Sequence, residues 1–280
     1  ISNIKNLKVT AIFRKKEFDK LNKKNLNYLL VKDLSKRNLR FLDAADYIIH
    51  CAGRAHIIKD DDKNEQNHSN YKITKNLFKI ACKKGVKRFI YISTVGVLGD
   101  NTENREPFNE FDIPYPRNNY AKSKFKAELF IKNLSKKSKT EFVIIRPPTI
   151  YGKHVKGSFD KLIKLIDFGI PLPFKGFKNK KSFVSVENLS KLVIKSLKNK
   201  RLKNKTVLIS DVKISLESLI NKIAKKMKKR VILFCFPKIF LKFVANLFGY
   251  GAEYSKISST LLINNIHLKR LLNWNIKVSF

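Results

Sequence analysis

Glycine and proline are scarce in this chain, at 10 and 8 of 280 residues, and no glycine occurs before Gly53. A collagen-like repeat and a Pro/Gly-rich disordered chain are thereby excluded. Cysteine is sparse too: Cys51, Cys82 and Cys235 are odd in number, far apart, and form no C-x-x-C pair. They support neither a disulfide framework nor a zinc site, and are expected to be reduced core residues of a cytoplasmic protein. Acidic residues number 22 against 60 Lys and Arg. Their one cluster, Asp60-Asp61-Asp62 with Glu65, reads as a solvated loop, so no metal site is expected. No uninterrupted apolar run reaches the ~18 residues of a membrane span. No internal repeat is visible, which sets aside solenoids and propellers.

What is abundant is positive charge, a formal net +38. Such a charge suggests nucleic-acid binding. The lysines, however, are spread through the whole chain, and no basic run interleaved with aromatics forms a separate patch. Asn22–Asn25 and Lys225–Arg230 read as solvated helix faces or ends. Non-specific attraction to polyanions is expected, with no specific nucleic-acid partner, and the same field draws in an anionic substrate. The most apolar stretch, Val231–Gly249, is broken by Pro237, Lys238 and Lys242. It reads as a core helix in preference to an amphipathic helix resting on a membrane.

Short β-rich runs alternate with helical patterns in the first half. Strands are expected at Lys8–Phe13, Asn27–Val31, Tyr47–Cys51, Arg88–Ser93 and Phe142–Arg146. Helices are expected near Leu39–Ala44, Tyr71–Lys84 and Tyr120–Lys136. This alternation implies an α/β fold with a doubly wound parallel sheet. After Gly152 the pattern turns mostly helical, near Ser158–Phe168, Val186–Lys198, Leu216–Lys228 and Ile239–Phe248, with extended pieces at Ser182–Val184 and Thr206–Ile209. Two domains are therefore expected, 1–152 and a smaller substrate lobe 153–280, with some exchange of elements between them.

Tyr120-Ala-Lys-Ser-Lys124 carries the most chemistry. In a helix, residues i and i+4 share a face. A phenol beside an ammonium is expected to have its pKa drawn down from ~10, toward a range useful for proton transfer. Upstream, Val86–Thr94 is a β-rich run ending in the hydroxyls Ser93 and Thr94, and strand ends are where open α/β sheets build their sites. Downstream, Glu141–Arg146 is a strand stopped by Pro147 and Pro148, followed by Tyr151-Gly152.

These residues resemble the extended short-chain dehydrogenase/reductases, in the branch of NAD-dependent nucleotide-sugar epimerases and dehydratases. The matching segments run in order along nearly the whole chain: His50-Cys51-Ala52-Gly53, Asn70 with Thr74, Ile92-Ser93-Thr94, Tyr120 with Lys124, and Arg146-Pro147-Pro148. They continue with Lys181–Val184, Val186–Leu189 and Leu271–Trp274, the last with Asn273 where the family has glycine. The resemblance implies a Rossmann-like fold that binds NAD or NADP. It makes Tyr120 the general acid/base, Lys124 its charged neighbour and ribose ligand, and Thr94 the hydroxyl that holds the reacting sugar oxygen. Arg14, Asp33, Cys51, Ala52, Gly53, Asn70, Ser93 and Pro147 would join Tyr120 and Lys124 around the cofactor. Arg146, Lys156, Ser158 and Lys181 would join Thr94 and Tyr120 around the substrate. Arg14 tilts the cofactor toward NADP, because arginine there accommodates a 2′-phosphate. Lys181 replaces the family's usual arginine, which keeps the charge and loses the bidentate fork.

In the family, a glycine-rich turn, a first strand and a first helix precede the first strand matched here, so a segment of roughly 25 to 30 residues is expected ahead of Ile1. Without that turn the chain is expected to bind cofactor weakly. Dehydratases of this family carry Asp-Glu after the catalytic threonine, and here Val95-Gly96 follows Thr94. The implied reaction is 4-epimerisation of a UDP-hexose or UDP-N-acetylhexosamine in surface-polysaccharide synthesis. The alternatives are a 4-keto-sugar reductase of the UDP-N-acetyl-quinovosamine type and a truncated, inactive homologue that serves as a binding protein. The resemblance also implies a homodimer.

Overall fold

The protein is described by a computed structural model over residues 7–13, 25–31, 34, 39, 42–51, 53, 67–152 and 158–278. Strands and helices follow as β1 (Val9–Phe13), β2 (Leu26–Leu30), β3 (Tyr47–His50), α1 (Ile73–Lys83), β4 (Arg88–Ile92), α2 (Asn119–Ser135), β5 (Glu141–Arg146), β6 (Thr149–Tyr151) and α3 (Ser158–Asp167). Next come β7 (Lys180–Ser185), α4 (Val186–Lys198), β8 (Lys205–Leu208), β9 (Val212–Ser215), α5 (Leu216–Met227), α6 (Lys238–Leu247), α7 (Gly251–Ser258) and α8 (Ile266–Leu272). The strands form a parallel β1-β2 pair, a four-stranded sheet in the order β3-β4-β5-β8, and a three-stranded sheet in the order β6-β7-β9. Parallel strands flanked by helices bear out the α/β reading. The expected elements lie within two residues of the observed ones. The exception is 39–44, where the described residues form only a short turn.

The chain divides into two compact units. One comprises Ile1–Ile92, Ser123–Ile144 and Ser190–Lys205; the other comprises Ser93–Lys122, Ile145–Leu189 and Thr206–Phe280.

In the first unit, β3 and β4 run parallel from Tyr47↔Arg88 to His50↔Tyr91 and are joined through α1. A parallel neighbour needs such a crossover. Ile73, Leu77, Phe78, Ile80 and Ala81 recur at helical spacing and are the buried face of α1. The helix stops at Gly85, whose φ of +71° suits glycine, and Val86 N–H donates to the Ala81 carbonyl at 3.0 Å. Phe78 meets Phe89 edge-on, ring centroids 5.1 Å apart. Ala127 and Ile131 of α2 complete this core with Phe142 and Ile144 of β5. At its margin the buried Arg88 guanidinium donates to Glu141 and to the carbonyls of Ser196 and Asn199.

In the second unit, β6 and β7 are parallel, β7 and β9 antiparallel, and the core gathers Tyr151, Ile166, Phe183, Ile214, Leu219 and Ile220. A late segment, Thr260–Asn264, is stitched to two distant stretches. Thr102 N–H donates to the Thr260 carbonyl at 2.8 Å, Phe108 N–H to Leu262 at 2.9 Å, and Ser182 N–H to Leu261 at 2.9 Å. In return, Leu262 N–H donates to Thr102 Oγ1 and Ile263 N–H to Ser182 Oγ, both at 2.9 Å.

Two expectations from composition fail. Cys51 and Cys235 are exposed and Cys82 is half-buried, so none is a fully buried core residue. In the apolar stretch Val231–Gly249, Val231 and Leu233 pack partly buried against the second unit's core, but the expected core helix is not core, since α6 has no buried residue. Only Leu241, Val244 and Ala245 of α6 are half-covered, while Phe240, Phe243 and Leu247 stand in solvent. Cys235 is exposed because it sits in the strip that leads into that helix. Among the described residues, no helix is long and apolar enough to cross a membrane.

Candidate active site

Helix α2 carries Tyr120 and Lys124 one turn apart. It begins where the Asn118 side chain accepts the Ala121 N–H at 2.9 Å, which satisfies one of the unpaired donors of the first turn. The helix therefore starts just ahead of Tyr120 and places it near a positive helix end.

Within the first unit, Lys124 is almost fully buried, at 2% exposure. Its Nζ donates to the Ile92 carbonyl at 2.8 Å and lies 4.7 Å from the Tyr91 ring centroid. Burial pulls its pKa down to about 8, with the Cys51 and Glu128 side chains pulling the other way. Beside it, Ser123 Oγ accepts from Asn70 Nδ2 at 3.1 Å. The Asn70 carbonyl accepts from Thr74 Oγ1 at 2.7 Å, and His50 Nε2 lies 2.8 Å from the same hydroxyl. Because that hydroxyl hydrogen goes to Asn70, the bond from His50 must be donated by Nε2–H, which assigns the tautomer. Burial, and then the Lys124 charge, push His50 down to about 3, so the imidazole is neutral. The chain of contacts joins the end of β3, the start of α1 and α2.

Asn70 lies in a helical turn, Asn67–Lys72, ahead of α1, where its side chain braces Ser123 and its carbonyl holds Thr74. Gly53 abuts this cluster. A Cβ at Gly53 would lie 2.7 Å from Asn70 Oδ1 and 3.1 Å from Lys124 Nζ. Only glycine leaves that space open, and a cradle of backbone against a buried ammonium fits a cofactor ribose and ring.

Within the second unit, Thr94 Oγ1 accepts the Gly96 N–H at 3.1 Å and caps the short turn Val95–Val97. Ser93 N–H donates to the Ile145 carbonyl at 2.7 Å and Val95 N–H to Pro147 at 2.9 Å. The two hydroxyl residues thus run alongside Arg146 and Pro147, both buried. A Cβ on Gly96 would meet Thr94 Oγ1 at 3.4 Å and the Ala121 Cβ at 3.7 Å, so the Thr94 turn packs on the helical turn bearing Tyr120. The tyrosine is half-buried. Its phenol is not drawn down as expected: burial pushes it up to about 12. Lys124 holds its charge on the Ile92 carbonyl and over Tyr91, and desolvation of a phenolate dominates.

Lys181 on β7 donates to the Lys256 carbonyl and lies 3.4 Å from Ser259 Oγ. Burial and then the Lys256 charge bring it to about 8. Ser158 opens α3. Cys51 follows β3 and is exposed. Arg14, Asp33, Ala52 and Lys156 lie outside the described residues, as do Asp60–Asp62 and Glu65. Among the described residues, no three His, Cys, Asp or Glu side chains gather as a metal site.

Sequence reasoning placed His50 in the matched strand-end segment without a role of its own, and gave none to Ser123. His50 offered a signal, a polar residue closing an apolar strand; Ser123 offered none beyond its place between Tyr120 and Lys124.

Residues 3–210 match the model of the NAD dependent epimerase/dehydratase family. The chain is 36% identical over 234 residues to a UDP-glucose 4-epimerase of Vibrio cholerae, covering 81% of this chain and 71% of that one. It is 34% identical over 128 residues, 45% of this chain and 38% of the other, to the N-acetyl-alpha-D-glucosaminyl-diphospho-ditrans,octacis-undecaprenol 4-epimerase of Escherichia coli O157:H7. A UDP-glucuronic acid 4-epimerase from Bacillus cereus, solved in complex with NAD, superposes with a TM-score of 0.72 at 19% identity, over 91% of this chain and 77% of its own. With the family model covering most of its length and a Tyr/Lys pair on one helix after a hydroxyl-ended strand, the chain belongs to the NAD dependent epimerase/dehydratase family.

Proposed function

We propose that the protein is an NAD-dependent 4-epimerase acting on a UDP-hexose or UDP-N-acetylhexosamine destined for a surface polysaccharide. The observation that carries this reading is the placement of Tyr120 one turn before a buried Lys124 whose Nζ is bonded to the carbonyl immediately preceding Ser93-Thr94. Bound NAD supplies a hydride acceptor and donor for C4 and a positive ring. Tyr120 takes the proton of the C4 hydroxyl and returns it, while Thr94 Oγ1 hydrogen-bonds the same oxygen. Lys124, charged below about pH 8, holds the cofactor ribose. Gly53 gives that ribose access, and Asn70 fixes the helix through Ser123.

A dehydratase also needs acid and base groups after the threonine. Here Val95 is buried and apolar, and Gly96 offers only its N–H to Thr94. A 4-keto reductase would use the same three side chains, but both curated relatives compared above are 4-epimerases by name. The family description names NAD, and Arg14, on which NADP rests, lies outside the described residues. The test is to incubate the protein with NAD and either UDP-glucose or UDP-N-acetylglucosamine and follow the C4 configuration by proton NMR. Interconversion of C4 epimers with no net reduction of NAD is expected. Stoichiometric consumption of reduced cofactor on a 4-keto sugar would replace the epimerase with the reductase.

A further inference from the structure

The apolar stretch that leaves the core builds a surface of its own. At 100° per residue, Ile239, Phe240, Phe243 and Leu247 share an arc of about 100° on α6. They are 86%, 56%, 63% and 71% exposed. The opposite side, Leu241, Val244 and Ala245, rests half-covered on the protein. Lys242 and Asn246 line one flank of the exposed arc, beyond Lys238, whose Nζ lies 5.1 Å from the Phe177 ring centroid. The aromatic surface extends back along the chain, with ring centroids 6.3 Å apart for Phe234–Phe236, 5.7 Å for Phe236–Phe240 and 6.3 Å for Phe240–Phe243. Phe248 and Tyr250 carry it past the helix end and are also exposed.

Charge decides what covers this face. Residues 218–252 hold eight Lys or Arg and no Asp or Glu. A second copy of the chain presenting this same face would set Lys242 and its neighbouring cations against their equals. An anionic lipid surface complements them. It takes phenylalanines at the headgroup boundary, while flanking lysines extend their amines to the phosphates.

We propose that α6 and the strip before it dock the protein peripherally on an anionic membrane surface, with Phe240, Phe243 and Leu247 entering the headgroup boundary. The inference stands on this surface alone and does not depend on the reaction assigned above. The test is flotation with vesicles of phosphatidylcholine alone and of equal parts phosphatidylcholine and phosphatidylglycerol, at about 0.15 M salt, where long-range charge is screened within ~8 Å. The protein is expected to float with the anionic vesicles. Phe240→Ser/Phe243→Ser, which leaves the net charge unchanged, is expected to lower that partition at least ~10-fold with its melting temperature preserved. Phe243→Trp is expected to show a blue-shifted emission on adding anionic vesicles. Equal partition of the parent protein and the double variant would overturn the proposal, leaving only diffuse charge. A dimer abolished by the double variant, with no vesicle binding by the parent, would overturn it in favour of a second copy.

Discussion

Lys124 Nζ donates to the carbonyl of Ile92, 2.8 Å away, and so ties helix α2 to the last residue of β4, one step before Ser93 and two before Thr94. An ammonium has three hydrogens. One is committed to structure, and the side chain cannot swing away without losing a charge-assisted bond.

Replacing the phenol tests the chemistry with the least disturbance. Tyr120→Phe keeps the ring in its half-buried place, so cofactor affinity and melting temperature should stay within error of the parent. Turnover should fall at least ~100-fold, the scale of losing a general acid/base. Near-parental turnover would remove Tyr120 from the mechanism.

The pH profile follows from Lys124. Its pKa is lowered to about 8, so the ammonium is present below that value and lost as the pH rises through it. kcat/KM should decline above about pH 8, because that ratio reports the free enzyme. Lys124→Arg, protonated throughout, should be less active and lack this limb. A limb that persists unchanged in the arginine variant would assign it to another group.

Gly53→Ala probes the cradle. The added methyl lies under 3 Å from Asn70 Oδ1 and must displace it or the Lys124 terminus. The expected cost is about 1 to 3 kcal/mol of stability, in line with overpacking. Titration with NAD should show weaker binding than the parent; equal affinity would mean the cofactor does not approach this residue.

Acid sensitivity should trace partly to His50. Its folded value, about 3, lies below the ordinary 6.5, so the unfolded chain takes up the proton first as the pH falls. The contribution is complete above pH 6.5 and is lost as the pH falls from there toward 3, at up to ~1.4 kcal/mol per unit. Urea unfolding at pH 7 and 4.5 should show His50→Gln losing about 2 to 3 kcal/mol less than the parent. Identical losses would place the imidazole in solvent.

Much of this was legible in the chain, for a physical reason. Helical and strand periods are local, so α1, α2, α4 and β4 were expected within two residues of where they lie. Helical spacing alone sets Tyr120 and Lys124 one turn apart. Contacts between distant residues leave no such trace. Asn70 and Ser123 are 53 residues apart, and neither is unusual in sequence. The Tyr120 shift failed for another reason: the ammonium was visible, the burial of the phenol was not. The misplacing of Val231–Gly249 is similar. Period shows that a helix has an apolar face and says nothing of what, if anything, lies over it.

The stitching of Thr260–Asn264 onto Thr102 and Ser182 has a consequence for biosynthesis. Leu262 closes on a hydroxyl 160 residues earlier in the chain. A ribosome that has released residue 250 leaves both recipient stretches with open backbone donors and acceptors, exposed like any unpaired strand edge. The second unit can zip up only after Thr260–Asn264 has emerged, so on the ribosome its maturation waits on that segment rather than on its own earlier strands. The first unit, whose segments all lie before residue 206, has no such wait.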